Sequence, residues 1–169
     1  MRGFRFARAL AAAASGILVA TLSSAGESPN LRVTGMTFVG SRGDQSELVV
    51  HAERAFFHPD SGLAELEVVR AKVSDAEKGE SFEMQCDQAE LDVETSDFTA
   101  SGNVTGLTGD GQHYSAPWVR YVHASSMLQT DAPVTVVDGG TTFRGDGFRY
   151  YIDERRFELL GNVVMEQGK

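Results

Sequence analysis

The chain has 169 residues, a formal net charge of −9 at pH 7 and one cysteine, Cys86. Its length allows one domain with an ordinary hydrophobic core. Its negative charge disfavours binding to nucleic acid or to anionic lipid headgroups, which repel it. A single cysteine excludes an internal disulfide, a cysteine-ligated zinc cluster and a CxxC redox pair.

The first thirty residues have the composition of an export signal. Three arginines precede an uncharged run from Ala9 to Gly26, and Ser23-Ser24-Ala25 has the small-x-small form of a signal-peptidase site. The run is also at the lower length limit for a bilayer-spanning helix. We therefore predict that residues 1–26 are a signal peptide or a retained N-terminal membrane anchor helix, followed by a linker over residues 27–34.

The rest of the chain alternates apolar and polar residues with period two, in short segments separated by clusters of Gly, Asp, Asn and Ser. Such alternation is typical of antiparallel strands with one dry and one wet face. The sequence therefore predicts an all-β domain over residues 35–167 that needs no long helix.

One phrase recurs within this region. Phe, three residues and Gly-Asn-Val begin at Phe98 and again at Phe157, and a related copy begins at Leu128, so the steps are 30 and 29 residues. The strands that precede the copies keep one apolar register, which is Ala89-x-Leu91-x-Val93, Val119-x-Tyr121-x-His123 and Phe148-x-Tyr150-x-Ile152. With a degenerate first copy, the pattern predicts four strand–turn–strand units that share one apolar interior. The small residues of the phrase suit a bend or bulge.

The registered positions predict which side chains line the interior. Together with Phe57, they are Leu91, Val93, Phe98, Val104, Tyr121, Leu128, Val134, Phe148, Tyr150, Ile152 and Phe157. Large apolar groups alternate here with small ones such as Ala89 and Ala100. This lining is what a closed core would have, and an opened sandwich with the same lining could accept acyl chains.

Three segments carry a resemblance to a known family. TFVGSRGDQSELVVHAERAFFHPDSGLAELEVVRAKV, CDQAELDVETSDFTASGNV and TTFRGDGFRYYIDERRFELLGNVVM occur in an order and spacing that resemble the OstA-like lipopolysaccharide-transport proteins, most closely the LptC group. The resemblance implies an antiparallel OstA-like β-jelly roll, folded into an open, twisted, V-shaped trough. It also implies a periplasmic location, with attachment to the inner membrane through the N-terminal helix, or a soluble form if the signal is cleaved.

The function implied by the resemblance is passive. The twelve lining residues would bind the acyl chains of lipopolysaccharide received from the permease subunits of an inner-membrane ABC transporter. An LptA-like periplasmic protein would then take the lipid through an edge-strand interface that includes Leu159, Val163, Val164 and Met165. The sequence contains no GxxxxGK[ST] phosphate loop, so the chain is not expected to hydrolyse ATP.

Other functions are less well supported by the residues. His51, His58, His113 and His123 fall on different units, with no HExxH motif, so we predict no metal site and no cofactor. The paired acids from Asp87 to Glu94 alternate on the wet face of a strand, and no nucleophile elbow is present, so we predict no catalytic residues. The alternatives are a soluble LptA-like bridge protein, a short β-solenoid enzyme acting on polysaccharide, and a non-lipid envelope scaffold.

Overall fold

The computed structural model describes residues 31–42, 46–75 and 79–168. The predicted signal peptide or anchor helix lies outside the described residues. Within the described ranges, no helix combines the length and the apolar character that crossing a membrane requires. The first strand begins at Leu31, inside the range predicted as a linker.

The described residues form twelve strands and two single-turn 3-10 helices. The strands are β1 (Leu31–Arg42), β2 (Ser46–His58), β3 (Leu63–Asp75), β4 (Glu80–Asp92), β5 (Phe98–Thr108), β6 (His113–Val122), β7 (Met127–Thr130), β8 (Val134–Asp138), β9 (Thr141–Gly145), β10 (Gly147–Tyr151), β11 (Arg156–Leu160) and β12 (Val164–Gln167). The helical turns are His123–Ser125 and Ile152–Glu154. The all-β, antiparallel prediction is confirmed.

All twelve strands belong to one open antiparallel sheet, which divides after β6. From β1 to β6 each strand pairs with the next. Beyond that, one part of β6 pairs with β7 and another part pairs with β8. The order then continues as β7-β10-β11, which we call the β11 branch, and as β8-β9-β12, which we call the β12 branch.

A line of backbone irregularities crosses the sheet at one level, and we call it the crease. At this level each of the first six strands has residues that drop out of the antiparallel register. The unpaired positions include Gly35 on β1, Glu53 on β2, Val68 on β3, Asp87 on β4, Gly102 and Asn103 on β5, and Pro117 on β6. Pro117 suits this level because it has no N–H to contribute to a ladder.

The crease keeps apolar side chains on one face while the strands bend. On β2 the buried residues are even-numbered up to Ala52 and odd-numbered from Ala55, with the crease between them. On β3 the same change from even to odd numbers falls between Leu66 and Val69. Without this change of phase, one half of β2 and of β3 would turn its apolar side chains to solvent.

The repeated phrase of the sequence has the same structural role twice, once on the crease and once between β11 and β12. Gly102 and Gly161 both have a left-handed backbone, with φ of 72° and 67°. In each copy the following asparagine donates from Nδ2 to an aspartate Oδ2 at 2.7 Å, Asn103 to Asp87 and Asn162 to Asp146. The aspartate lies against the glycine, where a Cβ atom would meet its carboxylate. The phrase therefore builds the same bend twice.

A cluster of aromatic rings joins the β11 branch to the strands that it covers. Phe82 of β4 stacks on Tyr114 of β6 at 4.8 Å between ring centroids. Tyr150 approaches Phe82 at 5.7 Å, and Phe148 approaches Tyr114 at 5.6 Å. Phe157 of β11 stacks on Phe148 at 5.2 Å. These five rings, the aromatic cluster, close the interior between the two parts of the sheet.

We expect Val68→Asn to stabilise the fold. Val68 lies on the crease with φ of 53°, a conformation in which a β-branched residue is strained and an asparagine is tolerated. Its side chain is 47 % exposed, so little packing is lost. The free energy of unfolding should rise by about 1 kcal/mol, measured by urea denaturation. Val39→Asn is the control, because Val39 is 55 % exposed but is not among the residues with positive φ. Equal losses in both variants would contradict the expectation.

Candidate functional site

The structure places all twelve predicted lining residues in the core or against it. Phe57, Val93 and Phe157 are partly buried and pack on the core. The other nine are at most 3 % exposed, namely Leu91, Phe98, Val104, Tyr121, Leu128, Val134, Phe148, Tyr150 and Ile152. The alternation of the sequence therefore identified the apolar face correctly, while lipid binding by these residues stays a prediction.

Strand register arranges part of this lining into one continuous row, which we call the inner row. It runs across the sheet at right angles to the strands, each member opposite the next. Its members, in order, are Leu31, Phe57, Ala64, Leu91, Phe98, Tyr121, Leu128, Tyr150 and Phe157. An apolar stripe thus connects the first strand of the sheet to the last strand of the β11 branch.

The inner row is closed in its middle and opens at its ends. Leu91, Phe98 and Tyr121 are fully buried, whereas Phe57 and Phe157 are only partly covered and Leu31 is 55 % exposed. The open trough expected from the family resemblance is therefore an interior sealed by its own side chains along most of its length. The reason is that the aromatic cluster brings the β11 branch onto β4 and β6.

A row of smaller residues runs beside the inner row. Ala55, Leu66, Ala89, Ala100 and Val119 face one another in register across β2 to β6, and all are buried. Three alanines in a row of five leave a thin layer of side chains at this level. The alternation of large and small groups seen in the sequence thus becomes two parallel rows in the sheet.

The edge strand β1, and β9 next to the edge strand β12, carry apolar side chains that the sequence did not single out. Val33, Met36 and Phe38 on β1 and Phe143 on β9 are partly buried against the core. The missed signal is the apolar spacing within RVTGMTF and TTFRG, which was too short to assign a face. Among the described residues, β1 pairs with β2 only, β11 with β10 only, and β12 with β9 only. Each therefore leaves one strand edge without a ladder.

The predicted partner-interface residues divide into two groups. Leu159 is partly buried and packs against the core. Val163, Val164 and Met165 are exposed, Met165 by 64 %, at and beside the free strand β12. An exposed apolar group on an unpaired strand is a feature that proteins usually avoid unless another chain covers it.

Burial shifts the pKa of two polar groups in the interior. Burial raises the pKa of the Cys86 thiol from its ordinary 9.0 to about 11. Burial likewise raises the pKa of Tyr114 well above its usual range. His123, also buried, lies 3.3 Å through Nδ1 from the Tyr121 hydroxyl. No group of three or more His, Cys, Asp or Glu in the ranges described is placed to hold a metal ion.

An open antiparallel sheet that folds over its own apolar face, with strands at both ends paired on one side, defines an OstA-like β-jelly roll. The chain belongs to the LptC-related family of lipopolysaccharide-assembly proteins, whose family model matches residues 50–165. Membership confirms a role in lipopolysaccharide transport, a periplasmic location and a non-enzymatic function, as the sequence predicted.

A solved structure supports the fold. The chain is similar to LptH, the LptA homologous periplasmic component of the conserved lipopolysaccharide transport device from Pseudomonas aeruginosa. The TM-score is 0.58 at 13 % sequence identity, and the match covers 72 % of this chain and 95 % of that one. Comparison with curated proteins finds no match.

We expect Cys86 to make stability fall as the pH rises from 9 towards 11. Above pH 9 the unfolded thiol releases its proton while the folded thiol keeps it, so the unfolded state is favoured. Urea denaturation between pH 8 and 11 should show a steeper loss for the wild type than for Cys86→Ala. The comparison uses slopes, because the substitution also changes packing. Identical slopes would contradict this prediction.

Proposed function

We propose that this protein receives lipopolysaccharide from an inner-membrane ABC transporter and passes it to the next periplasmic β-jelly roll on the way to the outer membrane. The observation that carries the proposal is the inner row, an apolar stripe that runs from β1 to β11. Acyl chains would enter at its partly exposed ends and lie along its length.

The energetics favour a relay of similar sites. Burying one methylene is worth about 0.8 kcal/mol, so a chain of about twelve carbons gains roughly 10 kcal/mol when it is fully enclosed. A single site that held the lipid this tightly would release it slowly. Transfer between two similar apolar interiors is nearly neutral in free energy. Direction would then come from ATP hydrolysis by the transporter.

Entry into the closed middle would require β10 and β11 to move away from Phe82 of β4 and Tyr114 of β6. The branch is held there partly by aromatic contacts, Tyr150 on Phe82 and Phe148 on Tyr114. Such pairs contribute about 0.5–1.5 kcal/mol each beyond their buried area. An acyl chain that takes the place of the branch restores the apolar contacts and offsets this loss. Lipid and branch would therefore compete for the same surface.

Handover would use strand pairing between neighbouring molecules. The free edges of β11 and β12 at one end of the sheet, and of β1 at the other, can each accept a strand from a partner. Pairing β11 or β12 of one molecule with β1 of the next would bring the ends of two inner rows together. In this arrangement residues 1–26 keep the protein at the inner membrane.

A second candidate is a soluble bridge protein, because LptH, a periplasmic component of such a device, shares the fold. In that case residues 1–26 are a signal that is removed. The mass of the chain purified from membranes distinguishes the two forms.

Photo-crosslinking tests the lipid path. A photo-reactive amino acid at Phe98, Tyr121 or Phe148 should capture lipopolysaccharide in an active transport system, and so should one at the partly buried Phe57 or Phe157. The last two positions guard against failure to fold, because they have room for a larger group. Thr99 and Arg149, which follow Phe98 and Phe148 on the opposite face, are the controls and should capture none. No capture at any of the five inner positions would contradict the proposal.

A charge on the exposed strand edge tests the handover. Val164→Asp combined with Met165→Asp should weaken binding to the next jelly roll by at least about tenfold, because a charge in a desolvated strand interface costs more than 1.4 kcal/mol. Binding is measured by pull-down or calorimetry. Val68→Asp, an exposed valine in the middle of the sheet, is the control. Full binding by the double variant, with an unchanged thermal midpoint, would count against this interface.

A further inference from the structure

A groove of about 760 Å³ lies on the face of the sheet opposite the inner row. It crosses β2, β3, β4, β5, β6 and β8 on one side of the crease, and outward side chains form its lining. Buried residues such as Ala71 and Met84 alternate with these outward side chains along the strands. They belong to the inner face of the sheet but also border the groove. Its size is in the range of clefts that hold small ligands.

Polar side chains form one continuous row along this groove, which we call the outer polar row. Each residue lies opposite the next in the strand register. The members are His51, Arg70, Gln85, Thr105, Ser115 and Thr135. The row therefore presents imidazole, guanidinium, amide and hydroxyl groups side by side, a set that can bond to sugar hydroxyls and to anionic oxygens.

The neighbouring row of the groove is mixed. Lys72 and Glu83 form an ion pair at 2.9 Å and so neutralise each other. Val49 and Leu107 are partly buried, and each lies beside one member of that pair in the register. They add apolar surface against which the C–H faces of a sugar ring can pack.

Arg70 is the charged group that the groove leaves available. Within the described residues it forms no ion pair, and its register neighbours are His51 and Gln85, neither of which is an acid. Its own charge, added to the neutral Lys72–Glu83 pair, makes the described lining positive in a chain of net charge −9. A guanidinium fork binds phosphate or carboxylate through two parallel hydrogen bonds.

The position of His51 supports the same ligand. Thr37 Oγ1 lies 2.9 Å from His51 Nδ1, so the imidazole is held on β2 beside Arg70. An oriented ring next to a free guanidinium provides two directional groups for one anion.

We infer that this groove binds the phosphorylated saccharide part of a glycolipid, while the inner row is left for the acyl chains. The inference rests on the proposed function at one point, which is that the glycolipid is the lipopolysaccharide that the protein transports. Charge complementarity selects the ligand, because an anion is attracted to a local positive site even though the whole chain repels it.

Calorimetry on the full chain tests the inference. The probe is lipopolysaccharide from which the acyl chains have been removed chemically, which leaves the phosphorylated saccharide. Arg70→Glu should weaken its binding by at least about tenfold, the effect of losing one charge-assisted contact, and Arg70→Gln should weaken it less. Arg149→Glu on β10 is the control, because Arg149 is equally an exposed arginine on the outer face. It should bind as the wild type does.

Three results would overturn the inference. They are equal binding of the saccharide after its phosphates are removed, displacement of the saccharide by an equal concentration of inorganic phosphate, and equal losses in Arg70→Glu and Arg149→Glu.

The photo-crosslinker at Phe98 separates the two proposals. Capture of lipopolysaccharide without saccharide binding to the groove leaves the transport proposal standing. If the saccharide binds through Arg70 but the photo-crosslinker captures no lipopolysaccharide, the groove inference stands and the transport proposal fails.

Discussion

The shape of the sheet depends on the crease, the level at which one or two residues of each of the first six strands are left out of the strand pairing. A sheet of strands up to 13 residues long cannot bend over its own apolar face and keep strict alternation, because the bend would turn apolar groups outward. The crease resolves this conflict by letting the burial pattern change phase. It is also the level at which the sheet divides into the β11 and β12 branches, so it sets the shape of the interior.

Two faces with opposite chemistry follow from this arrangement. The inner row is apolar from β1 to β11, while the outer polar row offers directional hydrogen-bonding groups and one arginine that forms no ion pair with the part of the chain that the structure describes. A glycolipid has the same division, with acyl chains on one side and phosphorylated sugars on the other. Both binding modes require only surfaces, which agrees with a family of non-enzymatic transport proteins. The net charge of the chain is thus a poor guide to what one groove attracts.

Much of the fold was predictable because alternation is a local property. The register that placed Leu91, Tyr121 and Phe148 inward was correct, because alternation within one strand decides which of its side chains share a face, whichever strand it pairs with. The Gly-Asn-Val phrase marked two bends correctly as well, one on the crease and one between β11 and β12. The bend at Val68 was not predicted, because a β-branched residue gives no signal for a left-handed backbone. The outer groove was missed because successive residues of its outer polar row are separated by 10 to 20 positions along the chain and meet only through strand pairing.

The sequence by itself determined the all-β class, the apolar face and the membership of a lipopolysaccharide-transport family. These follow from residue order within single strands and from the spacing of short motifs. Only the tertiary structure decided that the interior is closed in its middle and partly open at its ends. That outcome depends on where the β11 branch comes to rest, which is set by contacts between rings as distant in the chain as Phe82 and Tyr150. A periodic pattern specifies which side chains turn inward, but packing between distant strands determines how much room remains among them.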